Sequence, residues 1–544
     1  MKYFKQNSNG IYLYGILSGV LLGISFPPIP LPYFVFFALV PYLFILEKKD
    51  GLAEINKFTY VTMFAFNLIT LYWVGSWSKE ADPFLMISGA ALLFFNPALY
   101  LIPSSLYYVS KKFFPKKVAL FLFPIFWTTF EFLYSVTEAR FPWLTLGNSL
   151  PYFKSYIQIA DIVGVYGLSL LILYSNIFIY LTFLHYKSYR KIHFGYSSAA
   201  LLILIFPVIY GFIKVNNFKR SDEKVQVGLI QPNLNPWNKW EEGNLDSQID
   251  LYFELSRHAV DEGAELLLWP ETALPVYLLS AGYSDQKLRL KKFIDSVDVP
   301  LITGMPDANF FKNEEAPDYA KESQVSDYLY TSYNSILLFS PGNPKVQKYG
   351  KIKLVPFGER VPFVDQIPFM GELIKWNVGI SSWNVGRDTT IFKVKLDSLA
   401  DSLSLSGVVC IESIYPDFVA QFVKKNSKLI AVVTNDSWYG NSSGPYQHKA
   451  ISVLRAVENG RTVVRAANGG ISAIINPVGE IIAQTEMFER EVLVGDAYLY
   501  SDLTFFSRYP LLIPYITVII SLFYILNFLF AQARLLLNKK RNKA

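Results

Sequence analysis

Three apolar runs in the second half of the chain terminate in groups that can do chemistry. LLLWPET ends at Glu271, KYGKIKLVPFGE carries Lys351 and Glu359, and GVVCIES carries Cys410 and Glu412. Cys410 is the only cysteine in 544 residues. A free thiol, with a pKa near about 8.5, is a strong nucleophile only as thiolate. A carboxylate in a partly desolvated pocket can take that proton and later deliver it to a leaving group. A fixed ammonium adds positive charge where a carbonyl oxygen turns anionic. The three types together would make a nucleophilic centre for attack on a carbonyl.

Each residue also has a plainer reading. A lone buried cysteine is commonly an inert small hydrophobe. Glu271 can be a turn carboxylate after Pro270, and Glu359 with Arg360 a surface pair. Asn435 and Asp436 can make an Asx turn. Lys353 shares a face with Lys351, although the spacing to VPFGE favours Lys351. Histidine offers little help: His185 and His193 fall in a basic connection and His258 in mid-helix, which leaves His448. No metal-ligand spacing and no phosphate-binding glycine loop occurs, so no metal or cofactor is expected.

The elements that must position these residues lie in a polar segment whose composition is that of a soluble domain. VQVGLIQ (225–231), ELLLWPE (265–271), PLITG (300–304), NSILLFS (334–340), LSGVVCIE (405–412), LIAVVTND (429–436), TVVRAAN (462–468) and ISAIIN (471–476) have the pattern of strands. Stretches near 245–261, 284–297, 415–425 and 446–460 have that of helices. The alternation predicts an α/β domain, and strand ends are where such folds collect their sites. Two stretches interrupt it. NFFKNEEAPDYAKESQVSDYLY reads as an exposed loop, and Arg360–Asp388, apolar and carrying Trp376 and Trp383, as a lipid-contacting gate.

The remainder of the chain is greasy. Hydrophobic residues make up 52% and charged ones 17%, too few for an ordinary soluble enzyme, and the mean hydropathy is +0.27. Eight apolar stretches predict eight membrane helices: Ile11–Phe26, Leu31–Leu46, Phe58–Val74, Phe84–Ser110, Val118–Val136, Ile157–Leu184, Ser197–Ile213 and Leu511–Ala531. The first is followed by SFPPIPLP rather than a small-residue cleavage site, unlike a signal peptide. Seventeen Lys and Arg fall in the connections on one side, among them Lys48, Lys49, Lys111, Lys112 and the 534–543 tail, against Lys79, Arg140 and Lys154 opposite. That asymmetry explains the net charge of +6 without nucleic acid, and it predicts cytoplasmic termini with the polar segment outside. The expected domains are 1–215 (seven helices), 216–505 (catalytic) and 506–544 (eighth helix and basic tail).

Glu, Lys and Cys at successive strand ends resemble the nitrilase superfamily of carbon–nitrogen hydrolases. WPET, LVPFGE, CIE, TNDSWYG, GPYQH and RAANGGISAIINP, behind seven apolar stretches and with ARFPWLTLGN after the fifth, resemble one branch of it, the bacterial apolipoprotein N-acyltransferases. The resemblance implies a membrane helical bundle carrying a periplasmic α-β-β-α sandwich in the inner membrane. It implies Glu271 as general base, Lys351 as oxyanion stabiliser and Cys410 as nucleophile. A fatty acyl group would move from a phospholipid to Cys410 as a thioester, then to the α-amine of a diacylglyceryl-cysteine at an apolipoprotein N-terminus. Ile411 would add its backbone N–H to the oxyanion hole; the family often has an aromatic there. Glu359 and Glu412 match supporting acids that would keep Lys351 charged and aimed. Trp240 and Trp438 match aromatics at the lipid entrance, and Asn435 and Tyr439 join them as substrate-binding candidates. Neither a nucleic-acid partner nor a cofactor is implied, and the chain would act as a monomer.

Two other readings fit part of the pattern. A membrane-tethered amidase would send the thioester to water. A transporter or lipid-binding protein would not need Cys410, but its spans should hold several ionisable groups, and Glu131 is the clear case here.

Overall fold

The computed structural model describes residues 8–77, 79, 81, 83–239, 245–322, 327–364, 366 and 383–541. They form two compact units: one of residues up to Tyr72 with Ala90–Ile213 and the segment from Tyr509 on, the other of Trp73–Gly89 with Lys214–Arg508.

Among the described residues, six helices are long and apolar enough to cross a membrane: Leu52–Gly75, Pro83–Phe113, Lys116–Val136, Ala160–Tyr189, Phe194–Asn216 and Leu512–Asn538. The expected count of eight is not reached for two reasons. Ser8–Ile24 is apolar but only 17 residues long. Leu31–Leu46 is divided by its prolines into a turn of 3-10 helix, Pro32–Phe36, and a nine-residue helix, Val40–Lys48. At 1.5 Å per residue the latter reaches roughly half of the ~30 Å hydrocarbon thickness. The short first helix packs closely all the same. Gly15, Gly19 and Gly23 recur every fourth residue against Leu52–Leu71, and a Cβ at Gly19 would lie 2.3 Å from the Thr62 carbonyl oxygen. Such small-residue faces let apolar helices approach backbone to backbone. Glu131 is buried and accepts hydrogen bonds from Trp127 Nε1 at 3.1 Å and the Leu146 N–H at 2.9 Å. It thereby holds the ARFPWLTLGN turn.

The second unit is an α-β-β-α sandwich. Its strands are β1 (Lys224–Gln231), β2 (Leu266–Trp269), β3 (Leu301–Phe311), β4 (Lys321–Glu322), β5 (Leu329–Phe339), β6 (Gln347–Gly350), β7 (Ile391–Val394), β8 (Leu403–Val409), β9 (Leu429–Thr434), β10 (Thr462–Ala467), β11 (Ala473–Ile475), β12 (Ile481–Gln484) and β13 (Glu491–Tyr498). The first sheet runs β13-β1-β2-β3-β5-β4 with β6 also on β5; the second runs β12-β11-β10-β9-β8-β7. Parallel strands form each centre (β1-β2-β3 and β8-β9-β10) and antiparallel strands each flank. Central strands covered on both faces read as unbroken apolar runs, and LIAVVT of β9 is buried throughout. The sheets meet face to face, β1 on β10 and β3 on β9. Leu245–Asp261 packs on β1 and β13, and Ser443–Asn459 on β10 and β11.

In the stretch expected to be an exposed loop after β3, strands take only the two ends and the two residues of β4, and the described residues between are exposed or half-buried. β3 continues to Phe311, β5 starts at Leu329, and Phe310 stacks on Tyr330 at 6.0 Å. Most of the expected gate, 365 and 367–382 with Trp376, lies outside the described residues.

Candidate active site

Each of the three strand ends breaks its ladder in a way that aims one side chain. β2 stops at Trp269 because Pro270 has no N–H to continue it. Glu271 follows, and Thr272 then takes a left-handed backbone with φ +51°. Gly304 on β3 makes room for this turn: a Cβ there would sit 2.5 Å from the Glu271 Cα. Lys351 comes directly after β6, its backbone N–H donating to the Asn334 carbonyl at 2.8 Å. Cys410 directly follows β8, with φ +48°, and opens a single 3-10 turn, Cys410–Ile414.

The ends converge in a buried cluster. Lys351 Nζ lies 3.1 Å from Glu271 Oε1 and 2.8 Å from Glu359 Oε1. Asn334 Nδ2 donates to the same two oxygens at 2.8 and 2.9 Å. The other Glu271 oxygen accepts from the Asn435 N–H at 3.1 Å, and the other Glu359 oxygen from the Val355 N–H at 2.8 Å. Burial alone would strip the proton from Lys351, but the two carboxylates outweigh it and hold the ammonium well above its ordinary range. The thiol is pushed up by burial and further by Glu271, with Lys351 opposing. Cys410 is therefore protonated at rest, beside a carboxylate that can receive its proton.

Two family models match the chain: the apolipoprotein N-acyltransferase N-terminal domain over residues 18–178 and carbon-nitrogen hydrolase over 226–499. An apolipoprotein N-acyltransferase of Chlorobaculum tepidum is 32% identical over 92% of this chain and 93% of its own. The chain belongs to the apolipoprotein N-acyltransferase family. A Geobacter metallireducens member is 31% identical over 92% of this chain and 91% of that one. Among solved structures, an amidase from Nesterenkonia sp. is similar at 18% identity over 52% of this chain and 93% of that chain, with a TM-score of 0.36.

Other residues that this apolipoprotein N-acyltransferase family member was expected to use fall in varied places. Glu412 does not turn toward Lys351. Its Oε1 accepts from the Tyr349 hydroxyl (2.7 Å) and the N–H groups of Ile352 (2.7 Å) and Lys353 (3.0 Å), and its Oε2 from the Val409 N–H (2.9 Å). It ties the turn carrying Lys351 to the turn carrying Cys410. Lys353 points away from the cluster, over the rings of Tyr415 and Phe418. Asn435 is buried, and its side-chain oxygen accepts from Ser437 and Asn468. Trp438 meets Trp237 edge to face at 4.7 Å. Burial raises the pKa of the Tyr439 hydroxyl, and the nearby carboxylates of Asp436, Glu359 and Glu271 add to the rise. Trp240 lies outside the described residues.

Three contributors escaped the sequence reading. Asn334 was legible only as the one amide at the head of an apolar run, NSILLFS. Lys239 is buried, donates to the Thr272 carbonyl at 2.7 Å, and is lowered to about 8 by burial against the pull of Glu271. Trp73, in the Trp73–Gly89 connection, donates from Nε1 to Gln447 at 3.1 Å and abuts the Tyr439 ring at 4.7 Å.

Behind the thiol runs a second buried chain. Arg465 pairs with Asp436 Oδ2, and Asp436 Oδ1 lies 2.9 Å from His448 Nδ1. His448 Nε2 is 2.8 Å from Ser413 Oγ and 3.1 Å from the Cys410 carbonyl oxygen. Ligand atoms of Cys410, Asp436 and His448 fall within 4.8 Å of one another. A dication there would have to displace Arg465 from Asp436, so the trio fits an ion-pair network better than a metal centre.

Proposed function

We propose that the chain moves a fatty acyl group from a membrane phospholipid, through a Cys410 thioester, to the α-amine of an apolipoprotein's N-terminal diacylglyceryl-cysteine. The observation that carries this reading is the thiol held with one carboxylate and one ammonium in a chain similar to N-acyltransferases over nine-tenths of its length. Glu271 takes the thiol proton as Cys410 attacks the ester carbonyl at sn-1. Lys351 and the Ile411 N–H hold the oxyanion. As the C–O bond breaks, Glu271 returns the proton to the departing alkoxide, and lysophospholipid leaves. The acceptor amine then attacks the thioester, Glu271 takes the amine's proton, the C–S bond breaks, and the thiol is reformed with that proton.

Glu359 and Asn334 keep Lys351 aimed, while the Asn435 N–H steadies the far oxygen of Glu271. A thioester yields to amines more readily than the ester it came from, which suits a ping-pong transfer. The lysine and arginine asymmetry supports a multi-pass inner-membrane protein with cytoplasmic termini and a periplasmic second unit.

Intact-mass analysis after mixing with phospholipid tests the first half. One acyl adduct, removable by hydroxylamine, is expected on the wild type and none on Cys410→Ala or Glu271→Gln. Lys351→Ala should slow both halves by ~10²–10³, as losing an oxyanion donor does. Adding a diacylated lipopeptide should yield N-acylated peptide; free fatty acid alone would favour the tethered amidase.

A further inference from the structure

The Arg465–Asp436–His448–Ser413 chain converges on one atom, the carbonyl oxygen of Cys410. Ser413 Oγ donates to it at 2.8 Å, a common short-range serine bond that would need no further support. Here it is backed by three ionisable side chains, all almost fully buried. Burying such groups costs several kcal/mol unless each is paired and hydrogen-bonded.

The proton count restricts the arrangement. Ser413 has one hydroxyl proton, which the Cys410 carbonyl takes. For the 2.8 Å contact between Ser413 Oγ and His448 Nε2 to be a hydrogen bond as well, Nε2 must carry the donor proton. That N–H also lies 3.1 Å from the Cys410 oxygen. The Nδ1 side either donates to Asp436 at 2.9 Å, as an imidazolium that burial and Arg465 disfavour, or in the neutral ring accepts from Arg465 Nη2 at 3.2 Å. Desolvation works against the Asp436 anion, but Arg465 and His448 outweigh it and hold the carboxyl at about 2.

We infer that His448 and Ser413 are positioning residues of the acyl transfer, acting through the Cys410–Ile411 peptide. Two donors on its carbonyl fix the left-handed backbone of Cys410 and polarise the amide. Hydrogen bonds in series strengthen one another, so the Ile411 N–H at the other end becomes a stronger donor to the oxyanion. The inference rests on the acyltransferase reading, in which that N–H faces the transition state.

The test uses the full chain in detergent or nanodiscs and a phospholipid whose sn-1 acyl carbonyl is carbon-13. In the trapped acyl-enzyme, the infrared stretch of the labelled thioester carbonyl reports how strongly the oxyanion donors pull. In Ser413→Ala and His448→Leu the band should move to higher frequency, and kcat should fall about tenfold, the worth of roughly one hydrogen bond, with KM for phospholipid unchanged. His448→Gln, which can present an N–H near the same place, should recover much of both. An unmoved band in Ser413→Ala, or an equal loss in His448→Gln and His448→Leu, would overturn the inference. Should His448→Leu fail to fold, Ser413→Ala decides alone. A wild type that forms no adduct would instead sink the acyltransferase reading, and this inference with it.

Discussion

At Cys410 the resting charge state and the required one differ. Burial and Glu271 raise the thiol, and Lys351 only partly offsets them, so little thiolate stands ready at neutral pH. The proton leaves when a carbonyl arrives and Glu271 accepts it. Iodoacetamide, which reacts with thiolate, should therefore alkylate the free protein slowly at pH 7. The rate should keep rising with pH past the ordinary thiol midpoint near ~8.5. Lys351→Met removes the positive charge that opposes burial at the thiol, and should slow alkylation further at any pH below the plateau. A rate that levels off below pH 8 would mean that thiolate is preformed and Glu271 is not needed to make it.

Elements meet at this site through Glu412, whose two oxygens collect four donors from β6's following turn, Tyr349 and the end of β8. Glu412→Gln replaces one acceptor oxygen by a donor that faces other donors. Leaving buried N–H groups unmet costs about 1–3 kcal/mol each, so thermal unfolding should shift down by several degrees while Cys410 remains in place. An unchanged Tm would show that the bridge is dispensable. The site's outline was readable in the sequence because Glu271 and Cys410 each follow an apolar strand run, and β1, β2, β8, β9 and β10 are dense in β-branched residues or leucine. β4, β6, β7 and β12 are only two to four residues long, too short for periodicity to register. Glu412 was expected to hold Lys351 because it matches a supporting acid of the family that the chain resembles. Which lone pair meets which N–H depends on the turn between, and the Asp436–His448–Ser413 chain joins residues that only the fold brings together.

For the whole molecule, eight apolar stretches predicted a topology by parity, whereas among the described residues six helices are long enough to span and the second stretch breaks between Pro32–Phe36 and Val40–Lys48. Orientation then rests on charge asymmetry, which parity does not enter. Cys410→Ala leaves a background without cysteine, so single cysteines can be placed at will. Ser188 is exposed in the last turn of the helix Ala160–Tyr189, beside Lys187, Arg190 and Lys191, and Ser402 lies on an exposed loop of the second unit. In intact cells a membrane-impermeant maleimide should label Ser402→Cys and spare Ser188→Cys until the membrane is opened; the reverse pattern would place the site on the cytoplasmic side. Finally, Cys410 carries its nucleophile on a backbone with φ +48°, a region that costs a side chain about 1 kcal/mol and glycine almost nothing. Reactivity is thus housed at a point of local discomfort. A glycine there would silence the sulfur while easing the backbone, giving a quieter and firmer protein in which donor and acceptor lipids could be caught intact.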